Sequence, residues 1–185
     1  YTGWQGHLWQ QSICWVFILL SGFCLPLGHR PLRRGLIVSG AGVLVTVVTL
    51  LFMPEDRVVF GVLTLLGAAM LITGLLQPLL QKIPAWAGLV VSLLLFAATY
   101  HTQDGFCFFP RGFFSTDYFP LLPWLFLFWA GYFLHFCMGR ARMEPLRRSV
   151  CAPLGWLGRH SLGIYLLHQP VIYGGLLLLF HVFEQ

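Results

Sequence analysis

Six stretches of this chain run without a single charged side chain: about Gln11 to Leu27, Leu36 to Met53, Val58 to Leu80, Ala85 to Tyr100, Phe119 to Met138 and Ser161 to Phe183. A membrane-spanning helix needs roughly 20 mostly apolar residues, because the hydrocarbon layer is about 30 Å thick and a helix rises about 1.5 Å per residue. Each stretch serves, the fourth being the shortest. Helix-breaking prolines stand in or beside the gaps, at Pro26, Pro31, Pro54, Pro84, Pro110, Pro120, Pro145 and Pro153. Composition closes the alternatives. The chain is 58% hydrophobic and 9% charged, whereas a soluble domain carries roughly 25% charge. Disorder is excluded, since it needs low hydrophobicity and high charge. A soluble enzyme would have to face water with Leu, Phe and Val. Nucleic acid is excluded as a partner, because the net charge of +5 reflects few acids (6) rather than many bases (11). The expected fold class is therefore all-α, a polytopic integral membrane bundle of about six transmembrane helices. Residues 1–185 read as a single domain, with no internal repeat, low-complexity tract or soluble domain.

The basic residues orient the helices. Loops one, three and five hold Arg30, Arg33 and Arg34, then Lys82, then Arg140, Arg142, Arg147, Arg148 and Arg159. The even loops hold Arg57 and Arg111 beside Glu55, Asp56, Asp104 and Asp117. Cytoplasmic loops carry the excess of Lys and Arg. The odd loops are thus expected in the cytoplasm, with residues 1–10 and the C-terminus outside. The loop from His101 to Tyr118 is rich in Phe and Gly. It reads either as an interfacial segment on the bilayer surface or as a lid over an external cavity.

Polar groups within spans are expensive, and each is a site hypothesis. In the sixth span Ser161, Tyr165, His168 and Gln169 fall on one helical stripe roughly 100° wide. His168 lies about 12 Å deeper than His160 along a straight helix. Pro170 leaves the carbonyl of Leu166 without its helical donor, so a kink is expected there. One reading has the stripe gluing helices together. The other has it lining a pocket, with His168 as general base or acid near neutral pH.

Asp117 precedes Tyr118-Phe119-Pro120 at the outer end of the fifth span. It suits a helix N-cap, and equally a carboxylate that binds an amine or hydroxyl acceptor. Ser21-Gly22 reads as a close-packing pair. His29, Arg30, Arg33 and Arg34 set topology and meet anionic lipid heads, or form a phosphate site suited to arginine forks. Arg159 and His160 lie on the same membrane face. His7, His135 and His181 receive no role. The five cysteines lack metal-ligand spacing, and metal or nucleotide-loop motifs are not found. An enzyme, a transporter or lipid-handling protein, and a structural bundle all remain open at this point. A midplane polar stripe and a broken helix are transporter features.

The run from Leu154 to Val171, Leu-Gly-Trp-Leu-Gly-Arg-His-Ser-Leu-Gly-Ile-Tyr-Leu-Leu-His-Gln-Pro-Val, resembles the last helix of bacterial proteins related to the catalytic domain of heparan-alpha-glucosaminide N-acetyltransferase. Its Gly, Ser, Tyr-Leu and His elements are similar to the end of the wider transmembrane acyltransferase superfamily. Asp117 to Trp124 with Ala130-Gly131 looks like the family's penultimate helix, and Phe60 to Gly67 like its Phe-Gly-x-Leu element. Relatives often have His where this chain has Thr64. Ser21-Gly22 falls where the family has a Ser-Gly pair. Relatives begin with a further helix carrying an Asp-x-x-Arg-Gly motif and an outer His tied to acetyl transfer. The resemblance therefore implies that this chain is an N-terminally truncated fragment.

The resemblance implies a membrane-embedded acyltransferase in the cytoplasmic (inner) membrane. Acetyl-CoA would be the cytoplasmic acyl donor, and an amino sugar, glycan or other small molecule the outer acceptor. No metal is implied. His168, Gln169 and Tyr165 would be catalytic, with Gln169 and Tyr165 donating to the developing oxyanion. Asp117 and Ser161 would bind the acceptor. Arg30, Arg33, Arg34, Arg159 and His160 would bind the donor. The partners are the lipid bilayer and, as an option, a second copy of the chain.

Overall fold

A computed structural model describes residues 4–52, 60–100 and 119–147, together with 153, 155–158, 160–164 and 166–167. Among the described residues every regular element is a helix: α1 Trp4–Cys24 with a 3-10 turn Leu25–Leu27, α2 Pro31–Phe52, α3 Val62–Leu80, α4 Ala85–Tyr100 and α5 Leu121–Arg147. By length and composition Pro31–Leu51, Val62–Leu80 and Leu121–Gly139 can cross a membrane, while Ser12–Leu27 and Ala85–Tyr100 are shorter apolar helices. The all-α membrane bundle is confirmed. Most of the sixth expected span, including residues 168–183, lies outside the described residues.

The helix boundaries differ from the sequence expectation where proline was read as a breaker. The second helix begins at Pro31, five residues before the apolar run. Proline suits the first helical position, because its missing N–H is an orphan there anyway. Arg30 immediately before it takes a left-handed conformation (φ 62), and its carbonyl accepts the N–H of Arg34 at 3.3 Å. The first helix starts at Trp4 rather than Gln11, since nothing in the polar and aromatic segment stops it. In the fifth, Leu122 is extended (φ −102, ψ 131) and Gly139 is left-handed (φ 66). Regular helix therefore starts after Leu122, later than the Phe119 start read from apolarity, and Gly139 interrupts it before the helical residues that run on to Arg147. Only α4 matches its expected bounds, Ala85–Tyr100.

The chain divides into two compact units, Tyr1–Ala141 and Arg142–Gln185. In the first, α5 supplies the largest share of the core: Trp124, Leu125, Leu127, Phe128, Tyr132 and Phe133 are all buried. α1 crosses α5 with backbones in contact. A Cβ on Gly22 would collide with the Phe128 carbonyl, and one on Gly131 with the Leu19 carbonyl. Small residues admit such close approach, and membrane helices associate through this packing. Against α3, the Trp129 indole N–H donates to the Thr73 hydroxyl at 3.0 Å, and that hydroxyl donates to Ala69 O at 2.6 Å. α4 runs opposite to α5: Gly88 abuts Phe133, and Phe96 lies 5.9 Å from Trp124. Trp15 of α1 joins the same aromatic group through Phe96 and Tyr100.

α2 packs differently. Its buried residues are small, Gly35, Ala41 and Gly42, and they lie against α3. Gly35 faces Leu71, Ser39 faces Gly67, Gly42 faces Thr64 and Leu32 faces Gly74, an antiparallel register held along the whole seam. The rest of α2 is a bare apolar surface, ending at Leu51, which is 73% exposed. Only lipid makes that exposure cheap, since each Å² of apolar surface costs about 25 cal/mol in water.

In the second unit, the described residues, 142–147, 153, 155–158, 160–164 and 166–167, are helical.

Candidate functional site

Arg30, Arg33, Arg34 and Lys82 lie at one end of the first unit's bundle, where α1 meets α2 and α3 meets α4. Leu25 at the close of α1 and Leu80 at the close of α3 enter one core there. The α1–α2 corner is built by the 3-10 turn, by Gly28, whose N–H bonds Leu25 O at 3.2 Å, and by the left-handed Arg30. Arg34 folds back into this corner: its guanidinium fills the space that a Cβ on Gly28 would need. It also lies within electrostatic reach of Cys24. His29, Arg30 and Arg33 are exposed. The corner therefore offers two outward guanidiniums, with a third buttressing the turn. Such an arrangement can bind phosphate.

Next to the corner stands His135 of α5. Its Nδ1 lies 3.0 Å from the Phe23 carbonyl, and its ring packs edge-on against Phe23 and Phe136. The last carbonyls of a helix lack intrahelical donors. His135 supplies one to the end of α1, which fixes the proton on Nδ1 and leaves Nε2 as an acceptor. Sequence reading gave His135 no role, because it sits near the end of a span. The signal was present: an imidazole inside an apolar run needs a partner.

A pocket of about 210 Å³ opens between the α3–α4 turn and α5, walled by Leu80, Gln81, Ile83, Ala85, Tyr132, Phe133 and Phe136. Tyr132 is 3% exposed, and its hydroxyl has no hydrogen-bond partner among the described residues. The Gln81 side chain is the group placed to hydrogen-bond that hydroxyl. Sequence reasoning missed this pocket. Its walls come from the α3–α4 turn with the helix ends beside it and from α5, parts that are distant in the chain.

The expected site residues divide as follows. Arg30, Arg33 and Arg34 share the basic corner. In the second unit, the Ser161 hydroxyl donates to Gly158 O at 3.0 Å. His160 Nδ1 lies 3.0 Å from Trp156 O, with its ring stacked on Trp156 at 4.5 Å. Asp117, Arg159, Tyr165, His168 and Gln169 lie outside the described residues. Ser21 and Gly22 act in packing: the Ser21 hydroxyl donates to Phe17 O at 2.7 Å, and Gly22 meets α5. Thr64, where relatives carry His, sits on the α2–α3 seam against Gly42. Among the described residues no three His, Cys, Asp or Glu side chains come together to hold a metal.

One family model, heparan-alpha-glucosaminide N-acetyltransferase, catalytic, matches residues 2–170. The match spans the basic corner, the pocket and the stretch from Asp117 to Gln169. No curated protein and no solved structure matches the chain.

Proposed function

This chain belongs to the heparan-alpha-glucosaminide N-acetyltransferase catalytic family, and from that premise we propose that it moves an acetyl group across the membrane. The donor is acetyl-CoA on the cytoplasmic face, and the acceptor is an amine or hydroxyl of a glycan or other small molecule outside. The observation that carries the reading is the family match over residues 2–170. The charge pattern supports the direction of transfer, because the odd loops hold most of the basic residues.

The described residues fit an acyl-CoA at the basic end. Arg30 and Arg33 point their charge outward on a corner that Arg34 braces, which suits the donor's phosphates. On the charge pattern Arg159 and His160 serve the same membrane face. Bound there, the donor supplies a thioester whose acyl carbon is open to attack. Residues of this chain contribute the following roles. His168 takes the proton of the acceptor amine or hydroxyl as it attacks. Gln169 and Tyr165 donate hydrogen bonds to the oxygen as negative charge develops on it. The carbon–sulfur bond breaks, the new carbon–nitrogen or carbon–oxygen bond forms, and the proton passes to the departing thiolate. Asp117, on the outer side by the charge pattern, meets the acceptor. A base of this kind contributes about 10²- to 10⁴-fold to the rate.

The test is transfer of labelled acetyl from acetyl-CoA in membranes that hold the protein. His168→Ala is expected to lose at least about a hundredfold of that transfer, with protein level and helix content unchanged. Full transfer by His168→Ala removes the base role. If the intact protein transfers no label but carries a solute across vesicles, it is a transporter and the acyltransferase reading fails.

A further inference from the structure

We propose that the basic end of the α2–α3 pair seats one anionic phospholipid, with its phosphate on Arg33 and its acyl chains on the exposed face of the two helices. The seam fixes the geometry. Gly42 stands opposite Thr64 at one end of it and Leu32 opposite Gly74 at the other, ten residues along each helix. α2 starts at Pro31, one residue before Leu32, whereas α3 runs on past Gly74 to Leu80. At about 1.5 Å per residue, α3 overshoots the start of α2 by about 8 Å. A step is left beside the overshoot. The α1–α2 corner takes its core side, where Leu25 and Leu80 share one core. On the outer side Leu75 and Leu79 are bare, 67% and 57% exposed.

Arg33 stands at the head of this step. It belongs to the exposed stripe of α2, which continues through Leu36, Leu44 and Leu51 at helical spacing. The seam register puts Arg33 level with Thr73, well inside the apolar span Val62–Leu80 of α3. A charge at that depth is expensive and needs a partner. Across the described α1 to α4 and the Leu121–Gly139 span of α5 there is no Asp or Glu. Glu55, Asp56, Asp104 and Asp117 belong to the even loops, which the charge pattern assigns to the opposite face.

A phosphate can supply the missing charge, since a guanidinium fork matches its oxygens. What else the phosphate carries decides its source. A water-soluble phosphate gains nothing from Leu36 and Leu75. A phospholipid lays its chains on them while its head group is drawn into the step. The proposal does not rest on the acyl-CoA reading, and either can fail alone. Arg30 stands off the helix at the corner and remains open to the donor.

The test uses the full protein in phosphatidylcholine nanodiscs with rising fractions of dansyl-labelled phosphatidylglycerol. Energy transfer from tryptophan gives the fraction at half-maximal binding. Arg33→Gln is expected to need about fivefold more of the anionic lipid, with helix content unchanged. Lys82→Gln removes an equal charge from the α3–α4 turn, past the step. It is expected to stay within about twofold of the parent, because salt screens charges more than about 8 Å apart. Parent binding should yield to unlabelled phosphatidylglycerol but not to phosphatidylcholine or to free glycerol phosphate. Arg33→Gln binding like the parent overturns the proposal, as do equal losses in the two variants, which mean a diffuse charge effect. Displacement by glycerol phosphate makes the site one for soluble phosphate, and displacement by phosphatidylcholine makes the lipid unselected. Each of these also overturns it, and both are read on the parent, whatever the variants do to folding.

Discussion

Along the α2–α3 seam small residues meet backbone in a steady register, Gly35, Ser39 and Gly42 on one side and Thr64, Gly67 and Gly74 on the other. The seams around α5 are mixed. Gly131 takes the α1 backbone, but Trp129 donates to Thr73, His135 caps the end of α1, and Tyr132 brings a hydroxyl into the core. The first seam is van der Waals contact and little else, which suits a helix whose outer face belongs to lipid. The second places polar groups where lipid cannot satisfy them, at a cost the fold accepts only where those groups serve. The contrast separates a seam of bare packing from seams that polar contacts also hold.

The strongest way to break this contrast is at the α1–α5 crossing. Gly131→Leu drives a side chain into the Leu19 carbonyl, and backbone cannot yield as a flexible side chain does. The expected cost is about 3 kcal/mol or more, seen as loss of monodisperse protein in detergent. A variant that purifies and melts like the parent shows that the backbones do not touch there. The α2–α3 seam gives a smaller and more local effect. Gly67→Leu meets the Ser39 backbone and is expected to cost about 2 kcal/mol. Hydrogen exchange should rise over Pro31–Phe52 while α5 stays protected. Gly40, with nothing within 4 Å, is the internal control: Gly40→Leu should stay within about 0.5 kcal/mol. Exchange that rises equally in both helices would merge the two regions into one. The finest probe is the Trp129–Thr73 bond. A double-mutant cycle of Trp129→Phe and Thr73→Val should return about 0.6 kcal/mol of coupling, the usual size inside a membrane. Zero coupling would make α5's polar contacts as incidental as those of the glycine seam.

Much of the fold could be read from residues alone, and the exceptions share a cause. α4 was legible to the residue because Pro84 marks its start and apolarity carries it to Tyr100. The start of α2 was not, since Pro31 as a breaker and Pro31 as a first helical residue look alike until the left-handed Arg30 before it is known. The basic corner was legible as a cluster, with His29, Arg30, Arg33 and Arg34 close in sequence. That Arg34 turns inward over Gly28 was not. His135 and Tyr132 escaped because their surroundings are assembled from distant parts of the chain, Phe23 for one and the Gln81 turn for the other. Periodicity shows which face of a helix is polar, but not which remote carbonyl a given imidazole meets.

The pairing of His135 with Phe23 has a consequence in time. The two residues are 112 positions apart. At about 5–20 residues per second, α1 waits on the order of ten seconds in the bilayer before α5 leaves the ribosome. Through that interval the notch at Gly22 and the carbonyl of Phe23 stand open to lipid, while α2 and α3, adjacent in the chain, close on each other almost at once. α1 is thus seated later than α2 and α3, although it is made before them, and among these three it is the one a membrane insertase has most reason to hold.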